Sequence, residues 1–166
     1  MAEFKNCSYN YCMRKDTVTA VPKGCTNFKL RQLTRRVSQH YDRVVSASGL
    51  KTTQYSLLSQ IEHLGPVRPS DLSAAMAMEA STLTRNLQPL VANGWAEIGP
   101  GEDGRSRLVA ITARGRAKRL EAQREWKRAQ LALNERLGAA RVAELHALLD
   151  DCLATLSETE PERSDA

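Results

Sequence analysis

Apolar residues recur along most of this chain with the period of an α-helix, and alternate more tightly over one short stretch. From Thr26 to about Ser46, Phe28, Leu30, Leu33, Val37, Tyr41, Val44 and Val45 follow one another mainly at steps of three and four, as one helix face requires. Arg31, Arg35, Arg36 and Arg43 lie largely off that stripe, and Ser48-Gly49 breaks it. A second helix is expected after Thr52, an acceptable N-cap, carrying Tyr55, Leu57, Leu58, Ile61 and Leu64 until Gly65-Pro66 ends it. A short third helix opens on Pro69, with Asp71 near the positive end of its dipole and Leu72, Ala75 and Met76 as apolar positions. After a turn at Ala77-Met78, Leu83, Leu87, Leu90 and Val91 mark a fourth helix, which starts at Glu79 and stops at Asn93-Gly94. Pro89 is expected to interrupt a hydrogen bond there and to kink the helix before its last turn.

The period then changes. Trp95 to Ile98 and Leu108 to Ile111 are short β-branched or apolar runs around a polar tip of Gly99, Pro100, Gly101, Asp103, Gly104 and Arg105, which signals a hairpin with a long loop. From Thr112 to about Leu137 there is no proline and one early glycine, and Ala, Arg, Lys, Glu and Leu dominate, so a long helix follows. A last helix from about Ala139 to Leu156 places Val142, Leu145, Leu149, Cys152 and Leu156 at alternating steps of three and four, widened by Leu148 and Leu153.

Residues 79–112 organise the rest. Their helix presents Ser81, Thr82, Thr84, Arg85 and Gln88, short hydrogen-bonding or basic side chains off the core stripe, and a hairpin with a basic tip follows at once. A winged helix-turn-helix presents itself to DNA in this way, with the reader helix in the major groove and the wing on an adjacent groove or phosphate row. The expected class is therefore mainly α with a small β-hairpin wing. Residues 1–24 read as a flexible arm, 25–48 and 113–157 as dimerisation helices, 50–112 as the winged helix-turn-helix domain and 158–166 as an acidic tail.

Charge changes this picture by its distribution. The total is +5, but residues 26–128 hold 17 basic and 9 acidic side chains, while residues 129–166 hold 3 and 8. A basic centre attracts a polyanion by counterion release, whereas an acidic end is repelled by it and should point away; the alternative is a set of solvated Arg-rich helices. The last helix must bury its apolar seam, against either its own chain or a second copy. Paired DNA half-sites favour the second copy, with Phe28 joining Val142, Leu145, Leu149, Cys152 and Leu156 in the contact.

No apolar run approaches the ~18 residues that would span a membrane, and no signal-peptide core opens the chain, so a cytoplasmic location without membrane contact is expected. Reduced thiols are expected at Cys7, Cys12, Cys25 and Cys152, whose spacing with His40, His63 and His146 matches no common zinc pattern. Cys7 and Cys12 could bridge or ligate, or stand as unpartnered thiols on the arm. No nucleophile elbow, Cys/His/Asp grouping or phosphate-cradling glycine loop points to an enzyme, and no cofactor or metal is expected.

Three local patterns carry a family resemblance: Thr52-Thr53-Gln54-Tyr55-Ser56-Leu57-Leu58, Ser81-Thr82-Leu83-Thr84-Arg85, and Asp103-Gly104-Arg105 followed by Leu108, Ile111, Thr112 and Gly115. In this order and spacing, over roughly residues 25–157, the chain resembles the MarR (multiple antibiotic resistance regulator) family of winged helix-turn-helix repressors. The resemblance implies an obligate homodimer on a double-stranded, pseudo-palindromic operator, with two reader helices in successive major grooves. It places Arg105 in the minor groove and gives Asp103 the task of holding that arginine or the loop. Arg85, Thr82, Ser81 and Thr84 would supply base and phosphate contacts, with Arg85 foremost for specificity because a bidentate base contact is worth ~1–3 kcal/mol. Arg107 and Arg114 would meet phosphates, and Arg68, standing where the family has a capping Ser or Thr, implies either that the start of the third helix is held differently or that it too touches a phosphate.

Most relatives bind a small, often anionic aromatic effector between the dimerisation helices and the winged domain; Arg31, Arg35, His40, Tyr41, Tyr55 and His63 are candidates to line such a crevice, or core-edge residues. The first helix, Cys25-Thr26-Asn27-Phe28-Lys29-Leu30-Arg31, also looks like a branch some of whose members sense oxidants through a cysteine near this helix start. Cys25 is thus either a redox candidate in an electropositive setting or a small hydrophobe at the dimer contact.

Overall fold

The computed structural model describes residues 23–101 and 106–157. The arm with Cys7 and Cys12, the wing-tip residues Asp103, Gly104 and Arg105, and the tail 158–166 lie outside the described residues. Six α-helices and one hairpin follow in the order α1 (Thr26–Val45), α2 (Thr52–Leu64), α3 (Pro69–Ala75), α4 (Ala80–Ala92), β1 (Ala96–Pro100), β2 (Arg107–Ile111), α5 (Ala113–Leu137) and α6 (Ala139–Ser157). A 3-10 turn at Ser46–Ser48 separates α1 from α2, and Gly49 takes the left-handed conformation (φ 74°) that lets the chain reverse there.

The core gathers Val45 and Leu50, the α2 residues Leu57, Leu58 and Ile61, Leu72 of α3, Leu83 and Leu90 of α4, and Val109 of β2, all at most 1% exposed. α2, α3 and α4 contribute apolar positions their periods mark, α1 adds Val45 at its end, and a single apolar centre lies beneath the winged part. Trp126 of α5 packs against its edge, with ring centroids 6.3 Å from Tyr41 and 6.0 Å from Tyr55. This aromatic ladder ties α1 and α5 to α2. The Tyr41 hydroxyl donates to Gln130 Oε1, and burial pushes the phenol above its ordinary 10.0.

Two details differ from the sequence expectation. Thr52 is the first helical residue of α2, and Lys51 holds the N-cap. A lysine side chain has no acceptor, so the free amides find others: Lys51 N–H donates to Gln54 Oε1 and Thr52 N–H to Asp42 Oδ1, each at 2.9 Å. Pro89 lies inside α4, which runs on to Ala92 while Leu87 and Leu90 stay buried on its core side. The Pro89 carbonyl accepts from both the backbone and the side chain of Asn93 (3.2 and 2.7 Å), which closes the last turn. The wing is wider than its apolar runs, because Gly99 and Pro100 continue β1 and pair with Leu108 and Arg107.

Val67 adds a short rung on the other side of β2. Its amide donates to the Val109 carbonyl (3.0 Å) and its carbonyl accepts from the Val109 amide (2.8 Å). The loop between α2 and α3 is thereby pinned to the wing. One residue of extended chain between Pro66 and Arg68 is too little to register as a strand by pattern.

Candidate nucleic-acid interface

Two joints decide how α4 is held. At its start, the turn from α3 forces Ala77 to φ 48°, a left-handed conformation rare for alanine. The Met78 amide donates to the Ser73 carbonyl (2.9 Å) and the buried Ser73 hydroxyl donates to the Met78 carbonyl, so the turn is closed from both sides. At its end, Gly94 adopts φ 66°, its amide donates to Val91 O and that of Trp95 to Leu90 O, each at 2.9 Å. Thr112 then ties this corner to α5: its hydroxyl donates to Gly94 O (2.7 Å) and accepts from Gly115 N–H (2.9 Å), while its amide donates to Trp95 O (3.1 Å). Ser73 and Thr112 carry no chemistry of their own, and only their hydrogen bonds across the fold reveal their roles.

Between those joints Ser81, Thr82, Thr84, Arg85 and Gln88 are all exposed. Ser81, Thr82, Arg85 and Gln88 stand at the i, i+1, i+4 and i+7 positions that share one side of a helix. Thr84 bonds back to Ala80 O at 2.9 Å and, with Gln88, borders a shallow apolar hollow of about 360 Å³ that also takes in Pro69, Val91 and Ile98. Arg68 stands exposed at the N-cap of α3, Arg107 exposed at the base of the wing and Arg114 exposed in the first turn of α5. Among the described residues the three ion pairs are Arg116–Glu62 (3.9 Å), Lys118–Glu121 (3.0 Å) and Arg128–Glu125 (2.8 Å). Arg68, Arg85, Arg107 and Arg114 pair with no described carboxylate, so their guanidinium charge is available to a polyanion.

The expected effector residues are only partly brought together. His40 Nε2 lies 2.9 Å from the Ala129 carbonyl and Tyr41 is its neighbour, but Tyr55 is buried in the core, His63 is exposed in the last turn of α2, and Arg31 and Arg35 are exposed on α1. None of those last four lines either hollow on α1. One hollow, of about 300 Å³, is formed by Arg36, Gln39, His40 and Arg43 of α1 with Arg136 of α5, over a floor of Leu33, Val37, Leu133 and Leu137. The other, about 270 Å³, lies among α1, α5 and α6 and is lined by Tyr41, Gln130, His146 and mostly leucines. Residues almost ninety positions apart meet here, which a local period cannot show.

Along α6, Val142 is buried and Leu145 and Leu149 are half-buried, facing the second hollow, whereas Cys152 and Leu156 are exposed. Phe28, Leu30 and Leu33 on α1 and Leu148, Leu153 and Leu156 on α6 are exposed as well. Cys25 is the exposed N-cap of α1, and its carbonyl accepts from Lys29 N–H at 3.1 Å. Among the described residues no cluster of three or more His, Cys, Asp or Glu forms, and no helix is long and apolar enough to cross a membrane.

A family model described as the MarR family matches residues 48–106. The multiple antibiotic resistance protein MarR of Salmonella typhimurium is 30% identical over 135 residues, which are 80% of this chain and 92% of that protein. The chain belongs to the MarR family. Within it, this is a DNA-binding transcriptional regulator with a winged-helix fold. An uncharacterised HTH-type transcriptional regulator, YwoH of Bacillus subtilis, is 29% identical over 90 residues, 54% of this chain and 66% of that protein. Among solved structures, the transcriptional regulator MosR of M. tuberculosis in complex with DNA superposes with a TM-score of 0.63 at 30% identity, covering 78% of this chain and 98% of that one.

Proposed function

We propose that this MarR-family regulator is a cytoplasmic, homodimeric repressor that reads a pseudo-palindromic operator through α4 and is released by a small anionic, aromatic effector. The observation that carries the reading is the exposed polar side of α4, held by hydrogen bonds at both ends and flanked by arginines that pair with no described carboxylate. Arg85, with Ser81, Thr82 and Gln88, reads base edges; Thr84 lies beside them; Arg68, Arg107 and Arg114 meet phosphates; and, as the family resemblance implies, Arg105 goes to the minor groove while Asp103 holds that arginine or the loop. MosR, solved with DNA, supports the partner class. The exposed apolar side chains of α1 and α6 support the dimer, since a lone chain would leave Phe28, Leu148, Leu153 and Leu156 more than half in water. Residues 50–112 then form the reading domain between two dimerisation segments, 25–48 and 113–157.

Binding is tested by fluorescence anisotropy on the duplex upstream of the protein's own gene and on a scrambled duplex. Arg85→Ala should weaken operator binding by about 10- to 100-fold, the loss of ~1–3 kcal/mol of base discrimination, and leave scrambled-duplex binding nearly unchanged. Wild-type operator affinity in both Arg85→Ala and Arg105→Ala proteins would mean that the reading surface lies elsewhere. Equal affinity of the wild type for both duplexes would instead favour non-specific DNA packing.

The effector site follows from charge. The hollow bounded by Arg36, Arg43, Arg136 and His40 offers cations at its rim and leucines and valine beneath, which suits a carboxylate on an apolar ring. Release of the operator by an aromatic carboxylate such as benzoate should need about tenfold more ligand in an Arg136→Ala protein whose operator affinity is otherwise unaltered. An unchanged dose response would place the effector elsewhere.

A further inference from the structure

The hairpin re-enters the helical body at Thr112, and the bonds there form a continuous path. Leu90 O at the end of α4 accepts from Trp95 N–H; Trp95 O accepts from Thr112 N–H; Gly94 O accepts from the Thr112 hydroxyl; and the Thr112 hydroxyl oxygen accepts from Gly115 N–H in the first turn of α5. The hydroxyl therefore donates to one helix end and accepts from the next, a double task that valine cannot perform and serine can. Contact reinforces the path: a Cβ on Gly115 would fall 1.8 Å from Trp95 O, so α5 already lies against this corner with no space left.

We infer that Thr112 is a positioning residue for operator binding: by clasping the C-terminus of α4 to the N-terminus of α5, it lets the long helix set the angle at which α4 meets DNA. This rests on the reading of α4 as the groove-entering helix. Leverage explains why one hydroxyl suffices. The 13 residues of α4 span about 20 Å at 1.5 Å per residue, so a tilt of about 5° at the Thr112 end displaces the Ser81 end by about 1.7 Å. Hydrogen bonds to base edges tolerate only a few tenths of an ångström. The far half of α5 carries Leu133, Arg136 and Leu137 of the cationic hollow, so the clasp also lies on the only covalently continuous helix that joins that hollow to the reading corner among the described residues.

A mere helix cap and a positioning residue are separable. Loss of a cap lowers the melting temperature and leaves the ratio of operator to scrambled-duplex affinity untouched, because both affinities refer to folded protein. Loss of positioning lowers that ratio. Thr112→Val, measured by anisotropy where circular dichroism shows it fully folded, should lose about tenfold in the ratio, the equivalent of one hydrogen bond spent on orientation. Thr112→Ser should come back to within about twofold of the wild type. A wild-type ratio in folded Thr112→Val overturns the inference, as does a serine variant that is no better than valine.

Should Thr112→Val not fold, hydrogen exchange on the wild-type chain decides. The amides of Trp95, Thr112 and Gly115 should open in one step with α4, and faster, independent exchange of Gly115 and Thr112 sinks the clasp. Arg85→Ala, measured alongside, separates the two levels. Full operator affinity in that protein removes α4 as the reader and the inference with it. Lost affinity in Arg85→Ala beside an intact Thr112→Val ratio removes the inference alone.

Discussion

Gly115→Ala should strongly destabilise this protein. Glycine is needed here for space and not for its dihedral freedom, since the residue lies in the first turn of α5 and is buried against the corner after α4. An added Cβ would lie 1.8 Å from Trp95 O and 2.8 Å from both Trp95 C and Ile111 Cγ1. Two of those atoms are backbone, held by the bonds to Thr112 that define the corner, so neither can swing aside as a flexible side chain would. Either α5 retreats from the hairpin and breaks the Thr112 bonds, or the hairpin lifts off the core and exposes Val109 and Ile111. Overpacking alone costs ~1–3 kcal/mol, and broken backbone bonds bring the total to about 4 kcal/mol or more. Against a usual total of ~5–15 kcal/mol that is a large share. Denaturant melts followed by circular dichroism measure it. Gly99→Ala is the matched control: nothing lies within 4 Å of its Cβ, and it should change stability by no more than about 0.5 kcal/mol. A Gly115→Ala protein as stable as that control would mean that α5 does not abut Trp95 in this way.

Leu90→Ala is the second large effect, and it joins stability to reading. Leu90 is fully buried beneath the last turn of α4, beside a proline that already forgoes one backbone bond. Truncation removes apolar burial and leaves a cavity, for a loss of ~2–5 kcal/mol. The helix end that the Trp95 amide grips then loses its anchor, so operator affinity should fall further than the melting curve accounts for. Val91→Ala, on the exposed side of the same turn, should cost far less. Equal costs at the two positions would show that α4 packs on a different face.

The winged body was legible because its helices and strands announce themselves locally. α1 starts at Thr26, where the first helix is expected, α5 ends at Leu137, as a proline-free run rich in Ala, Arg, Lys, Glu and Leu implies, and the Asn93-Gly94 stop is the left-handed turn that the pair favours. Legibility failed where partners are distant. The Thr52 cap was misread because its acceptors come from Gln54 and from Asp42 on the preceding helix. On α6, the evenly spaced seam gave no sign that Val142 would be buried within its own chain while Leu156 stays exposed.

By itself, then, the sequence determined the elements, their order and the side chains that α4 offers to solvent, because periodicity and turn chemistry act over a few residues. Only the tertiary structure decided what holds those side chains at an angle and what surrounds the cationic hollow. The Thr112 clasp and the meeting of Arg36 and Arg43 with Arg136 depend on contacts between segments 17 to 100 positions apart, and packing of the whole core sets such distances.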